Sequence, residues 1–209
     1  MKQSSSRLRA HAPHALDADP AQPHWLTIEP LELSEAVRGG IPAQKTCVQT
    51  LWTPTEWRVL FQCEDLDPWA TLTQRDAPLF SEETVEVFFD PVGDLESYYE
   101  LELNPLGTEL DIIFRRSRSG YKGDWAWDCV GLRTFVRHVP GGWNAEFAIP
   151  FTSVSAPPTE GTQWRVNFCR IDRPSRDGSL PRELTAWSPP MRENFHTPER
   201  FGKMTFISQ

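Results

Sequence analysis

The chain has 209 residues, a formal net charge of −8 with Asp and Glu spread along it, and 39% hydrophobic residues. That is enough apolar material for a sizeable core and fits one large β-sandwich or two small domains, and the lack of a dividing linker or charge run favours one. The acidic balance argues against a nucleic-acid binder, which needs a basic face to displace counterions from phosphate, and against docking on anionic membranes.

Residues 1–24 hold Pro, His, Ala and Ser without periodicity and read as a poorly ordered arm ahead of a domain spanning 25–209. The start has a basic flavour, but no apolar h-region follows Met1-Lys2-Gln3-Ser4-Ser5-Ser6-Arg7. It does not read as a secretory leader, so the expected location is cytoplasmic as encoded, with an extracytoplasmic one open for a trimmed sequence. A helical turn is read at 32–37. Apolar and polar residues then alternate over 47–52 and 57–64 around Thr53-Pro54-Thr55-Glu56, which predicts a hairpin. Residues 65–83 form a long irregular connection, a length that often carries function. Residues 84–90 read as a strand ended by Pro91 and Gly93. Residues 97–104 alternate well and turn through Pro105-Leu106-Gly107 into 108–115. Pro140-Gly141-Gly142 separates 132–138 from 143–149, a strong hairpin signal. Stretches 163–171, 185–187 and 203–207 bring the strands to ten. Short strands with frequent turns predict an all-β, antiparallel β-sandwich of jelly-roll or immunoglobulin-like type in a single domain.

Cys47, Cys63, Cys129 and Cys169 show no CxxC spacing, which argues against zinc. Cys47 and Cys63 flank the first hairpin turn, so a cross-strand disulfide is conceivable. Small buried thiols are the expectation for a chain without a leader. The run Glu64-Asp65-Leu66-Asp67 offers hard oxygen ligands suited to a structural calcium. Glu82, Glu83, Glu86, Asp90, Glu100, Glu102 and Asp111 could supply the carboxylate pair of a glycosidase, but alternating charges usually mark a solvated strand face, and no catalysis is expected. There is no nucleophile elbow, phosphate loop or HExxH zinc motif. His196, in Asn194-Phe195-His196-Thr197-Pro198, reads as a loop hydrogen-bonder.

Six segments in register carry a family likeness. They are Thr84-Val85-Glu86-Val87-Phe88-Phe89-Asp90-Pro91, Tyr98-Tyr99-Glu100-Leu101-Glu102-Leu103-Asn104-Pro105-Leu106-Gly107, Gly142-Trp143-Asn144-Ala145-Glu146-Phe147-Ala148-Ile149-Pro150-Phe151, Gly161-Thr162-Gln163-Trp164-Arg165-Val166-Asn167-Phe168-Cys169-Arg170, Ala186-Trp187-Ser188-Pro189 and Phe195-His196-Thr197-Pro198-Glu199-Arg200-Phe201-Gly202. In this order they resemble the family 9 carbohydrate-binding modules, over residues 25–208.

The resemblance implies a β-sandwich that binds one or two sugar units without cleaving them, often at the reducing end of a glycan. Aromatic faces would pack on the ring while charged and amide side chains bond its hydroxyls. By position the two walls fall on Phe80 and Phe195, where relatives with developed sites carry Trp; Trp69 and Trp187 are aromatics that could substitute. Glu86, pointing away from the Val85 and Val87 face, is the expected hydroxyl acceptor. Glu102 and Asn104 share a face, Arg170 is the expected donor, and Trp187 and His196 complete the set. The implied partners are a mono- or oligosaccharide and an enzyme of polysaccharide breakdown. Three alternatives stay open: a haem-binding electron-transfer relative with Met191, His196 or Lys203 as axial ligands, a glycoside-processing enzyme using Glu86 with a second carboxylate, and an interaction domain of a larger polysaccharide-processing assembly.

Overall fold

Fourteen strands form among residues 4–208, which the computed structural model describes. They are β1 (Ser5–Ala10), β2 (Leu31–Glu32), β3 (Ser34–Glu35), β4 (Thr46–Trp52), β5 (Glu56–Glu64), β6 (Thr84–Asp90) and β7 (Ser97–Leu103). The second half adds β8 (Glu109–Ser117), β9 (Gly120–Asp124), β10 (Arg133–Val139), β11 (Gly142–Pro150), β12 (Gln163–Asp172), β13 (Glu183–Ala186) and β14 (Gly202–Ile207). All ten expected strands form. The four others are either two residues long or, like β1 and β9, too polar to show a hydrophobic period.

The ladder runs β10-β11-β5-β4-β1-β14-β12-β6-β7-β8-β9, with β13 joining β12 to β3 and β2 on the flank of β4. Pairing is antiparallel throughout, apart from β1, which lies parallel to both β14 and β4. One apolar cluster draws Val59 and Phe61 from β5 and Phe147 from β11. It meets Val85, Val87 and Phe89 from β6, Leu101 and Leu103 from β7, and Phe168 from β12. Strands far apart along the ladder share that core because the sheet curls over itself into a sandwich. Trp57 sits at its centre, edge-on to Phe89 at 5.4 Å and to Trp164 at 5.6 Å. Its indole N–H donates to Thr50 Oγ1 at 2.6 Å, so the ring is buried with its polar group satisfied.

Two expectations are corrected here, and one open question is answered. Residues 5–10, read as part of an irregular arm, form a strand bonded on both edges, with Ser5 opposite Lys203 and Arg9 opposite Ile207 and Leu51. Ladder bonds hold it, and Leu8 is its one large buried apolar side chain, which is why no period was visible. The following segment is tied down as well: Ala18 is fully buried, and the Asp17 and Ala18 amides donate to Glu146 Oε2 at 3.0 and 2.8 Å. The helical turn expected at 32–37 is instead the pair β2 and β3, with the Glu35 carboxylate accepting from the amides of Val37 and Arg38. Cys47 and Cys63 are free thiols. The hairpin register puts Cys63 opposite Thr46 and Cys47 opposite Gln62, so the one-residue offset sends the two sulfurs to opposite faces.

Gly142 opens β11 against β5, where a Cβ would lie 1.9 Å from the Cys63 carbonyl oxygen. Backbone cannot yield as a side chain does, so Gly142→Ala is expected to cost about 2–4 kcal/mol. Urea unfolding should show a lower midpoint at unchanged slope; a midpoint equal to the parent's would mean the strands do not approach so closely.

Candidate functional site

Strands β6 and β7 are buried on both faces. Alternation sends Val85, Val87, Phe89, Leu101 and Leu103 into the main core, and Glu86, Phe88, Tyr98, Glu100 and Glu102 to the other side. On that side Phe88 and Tyr98 join Cys169, Ile171, Leu184, Ala186, Phe195 and Phe201 in a second cluster. Above it opens a slot of about 290 Å³, near the lower end of ligand pockets at roughly 300–1,000 Å³ and on the scale of one sugar ring.

The slot draws its lining from several elements. Glu86 and Glu100 come from the β6–β7 pair, Ile112 and Phe114 from β8, Ile171 from β12 and Leu184 from β13. Phe80, Trp125, Arg182, Glu193, Asn194, Phe195 and His196 come from loops and turns. Phe80 and Trp125 meet edge to face at 6.3 Å and are 40% and 48% exposed, so each keeps a free surface. Phe80 belongs to a single helical turn, Leu79–Ser81, anchored by Leu79 against Leu110 and Ile112. The loop carrying it is braced by Glu82, whose carboxylate accepts from the Thr71 hydroxyl and from the amides of Thr71 and Leu72. His196 stacks obliquely on Phe114 at 4.7 Å, and its Nδ1 pairs with the Tyr98 hydroxyl at 3.0 Å. One edge of the imidazole faces solvent while the packed side desolvates it. That burial lowers its pKa to about 4 and keeps it neutral at physiological pH.

The floor is electrostatically unusual. Glu86 and Glu102 are directly opposed across β6 and β7, and Glu100 lies two residues before Glu102 on the same face. Their exposures are 2%, 3% and 0% for Glu86, Glu100 and Glu102, and one oxygen from each lies within 4.8 Å of the others. Burial is the leading cause that raises all three above the usual carboxylate range, Glu100 to about 8. Mutual repulsion adds to it at Glu86, from Glu100, and at Glu102, from Glu86 and Glu100. Arg182 partly offsets the effect at Glu86, and a proton on Glu102 shared toward Glu100 eases the latter.

Of the residues singled out in the sequence, Phe80, Glu86, Phe195 and His196 line the slot, and Glu102 lies in its floor beside Glu100. Phe195 is only 6% exposed and packs on Phe88, so it offers an edge more than a wall. Three residues are elsewhere. Asn104 ends β7 and closes the turn, its Oδ1 accepting from the amides of Leu106 and Thr108 and its Nδ2 donating to the Leu72 carbonyl. Arg170 faces away, because it pairs with Val85 on the core side of the ladder while its neighbour Cys169 pairs with Glu86. Its guanidinium donates to Asp65 and Asp172 at 2.7 and 2.8 Å and to the Glu64 carbonyl at 2.7 Å. Trp187 lies against Phe168 and over Gly202, as core. Trp69 is likewise engaged, its indole donating to the Arg173 carbonyl.

The run proposed for calcium does not converge on one point. Asp65 faces Arg170, Glu64 turns its carboxylate toward the Lys45 amide, and Asp67 pairs with Arg176. Of the haem-ligand candidates, only His196 reaches the slot. Sequence reasoning missed Trp125, Phe114, Arg182 and Asn194. The first and third sit in loops without period, and the only signal was an aromatic or cationic side chain in a segment that needs neither for folding.

The chain matches the profile of the family described as Carbohydrate family 9 binding domain-like over residues 16–209. It belongs to that family, and it is a noncatalytic carbohydrate-binding domain, which sets aside the glycoside-processing alternative. A candidate carbohydrate-binding protein from Bacteroides uniformis superposes with a TM-score of 0.78 at 19% identity, covering 98% of this chain and 100% of the other. A family 9 carbohydrate-binding module from Caldicellulosiruptor kristjanssonii, solved with cellotriose, gives 0.72 at 14% identity over 98% and 95% of the chains. The same organism's module with glucose gives 0.70 at 14%, over 98% and 97%. An Arthroderma benhamiae protein named as an extracellular protein is 26% identical over 125 residues, 55% of this chain and 56% of its own length. The chain thus spans about half of that relative.

The raised carboxyls give a signed pH dependence. A group whose folded pKa lies above its unfolded value holds its proton better in the folded state, so its contribution is full below the unfolded pKa and lost as pH rises through the folded one. For Glu100 that window runs from 4.5 to about 8. In buffers of monovalent ions, the melting temperature should fall across it, and Glu102→Gln should flatten the fall. A parent profile already flat between pH 5 and 8 would show that the floor does not titrate there.

Proposed function

We propose that the slot holds the terminal ring of a gluco-configured saccharide. Phe80 and Trp125 pack on the ring's C–H face, while Glu86, Glu100, Asn194 and Arg182 bond its hydroxyls. The carrying observation is the juxtaposition of two half-exposed aromatic rings with a carboxyl floor in a cavity the size of one sugar. Stacking answers the apolar face of a pyranose and the polar floor its rim. The glucose and cellotriose bound by the Caldicellulosiruptor modules support the gluco configuration. A second groove of about 880 Å³ shares Arg182, Leu184 and Glu193 with the slot, so further units of a chain have a path away from it. An attached or associated enzyme of polysaccharide breakdown is part of this reading, in which the domain concentrates that enzyme on its polymer.

Isothermal titration calorimetry with glucose, xylose, cellobiose, xylobiose and their alditols tests it. Binding is expected in the micromolar to millimolar range, about −8 to −4 kcal/mol. Cellobiose should bind more tightly than glucose, and Trp125→Ala or Phe80→Ala should each weaken binding by about tenfold, the worth of one aromatic contact. A flat response to every sugar would sink the reading and leave the fold standing. Loss on reduction to the alditol would assign the reducing end.

A further inference from the structure

The three glutamates of the slot floor stand apart from the rest of the molecule's buried acids. Every other buried carboxylate among the described residues has a charged or amide donor: Glu146 meets Arg58, Asp172 meets Arg170, and Asp90 accepts from the amides of Val92, Gly93 and Leu95. In the floor, Glu86 Oε1 and Glu100 Oε2 are buried without a hydrogen-bond partner, and Glu102 has no charged donor, only Glu100 and the Phe80 backbone beside it. The His196 ring lies 4.0 Å from Glu100 Oε2 but is already engaged by Tyr98, and Arg182, which also lines the slot, only partly offsets the charge at Glu86. Leaving such atoms unpaired costs free energy. Opposing two like acids directly across a ladder costs more, so the arrangement calls for a ligand that supplies positive charge.

We propose that Glu86, Glu100 and Glu102 hold a divalent cation, calcium by preference, at the floor of the slot, and that vicinal hydroxyls of the bound sugar complete its coordination. The donors are all hard carboxylate oxygens with no nitrogen or sulfur among them, the set that suits calcium over zinc or copper. Three carboxylates provide three to six oxygens of the six to eight that calcium takes, and the remaining positions face the slot that Glu86 and Glu100 line. Two adjacent rigid strands fix the ligands before any ion arrives. The sugar-bridging half of this inference rests on the carbohydrate reading above; the cation half does not.

The test is calorimetric titration of chelator-treated, dialysed protein with calcium chloride alone, for the parent, Glu102→Gln, Glu86→Gln and Asp128→Asn. The last alters a separate acidic group formed by Asp76, Asp111 and Asp128. Both glutamine variants keep side-chain volume and are checked for folding by circular dichroism. Calcium affinity should drop by about tenfold or more in Glu102→Gln and Glu86→Gln and stay unchanged in Asp128→Asn. No calcium binding by the parent, or binding that neither glutamine variant weakens, overturns the site. Glucose or cellobiose is then titrated with calcium and with chelator. Affinity that depends on calcium upholds the bridge; equal affinity in both overturns the bridge alone. Glucosamine preferred over glucose in chelator would make the occupant a sugar ammonium and overturn the metal. If no saccharide binds under either condition, the carbohydrate reading fails, while the calcium titration still decides the cation site.

Discussion

The structure depends on a pair of central strands that have no solvated face. In most antiparallel sheets one side packs and the other meets water; β6 and β7 pack on both. Their aliphatic side chains meet the curled far half of the sheet, and their alternate side chains share a face with those of β8 and β13 and lie under the segment around Phe195. Polar groups placed on that second side are therefore buried whatever their identity, and the fold itself creates the unusual environment of Glu86, Glu100 and Glu102. The slot exists because the loops that cover this side, at 65–83 and beyond β9, stop short of covering it completely.

Elsewhere the same chain buries charge in a different manner. Arg58, at 0% exposure, bridges Glu146 and Glu56 and donates to the His14 carbonyl at 2.9 Å, tying the segment after β1 onto β5 and β11. Arg170 does the equivalent for β12 and the loop at Asp65. In these networks most donors and acceptors have counterparts, which is how buried ions hold geometry. The contrast with the slot floor separates acids that position backbone from acids left free to meet something else.

Much of this was legible in the sequence, wherever the residues themselves carry a period. The alternation in Thr84-Val85-Glu86-Val87 and in Glu100-Leu101-Glu102-Leu103 gave the strands and the facing of Glu86 and Glu102. It misled on which side meets solvent, since a charged alternate face ordinarily does. Arg170 failed for a reason of register: its face is set by pairing with Val85, and pairing is not written in a single strand. Asn104 shares parity with Glu102, but the strand ends at Leu103 and parity stops there. Trp125 and Arg182 arrive through loops whose course depends on the whole fold. The strand β1 was hidden because hydrogen bonds on both edges let a polar stretch be a strand with one apolar anchor.

That first strand has a consequence for how the molecule comes to be made. It lies between β14 and β4, paired with residues almost the full chain length away, Ser5 with Lys203. A growing polypeptide therefore exposes an incomplete seam until its final strand is available, with the far edge of the first strand and the edge of β12 both unpaired. Such open edges are where chains join to one another, and contacts of this span carry the largest loop-closure cost and form slowly. Closure of the sheet is thus a late event that takes both ends of the chain together, and the period just before it is the molecule's most exposed to aggregation.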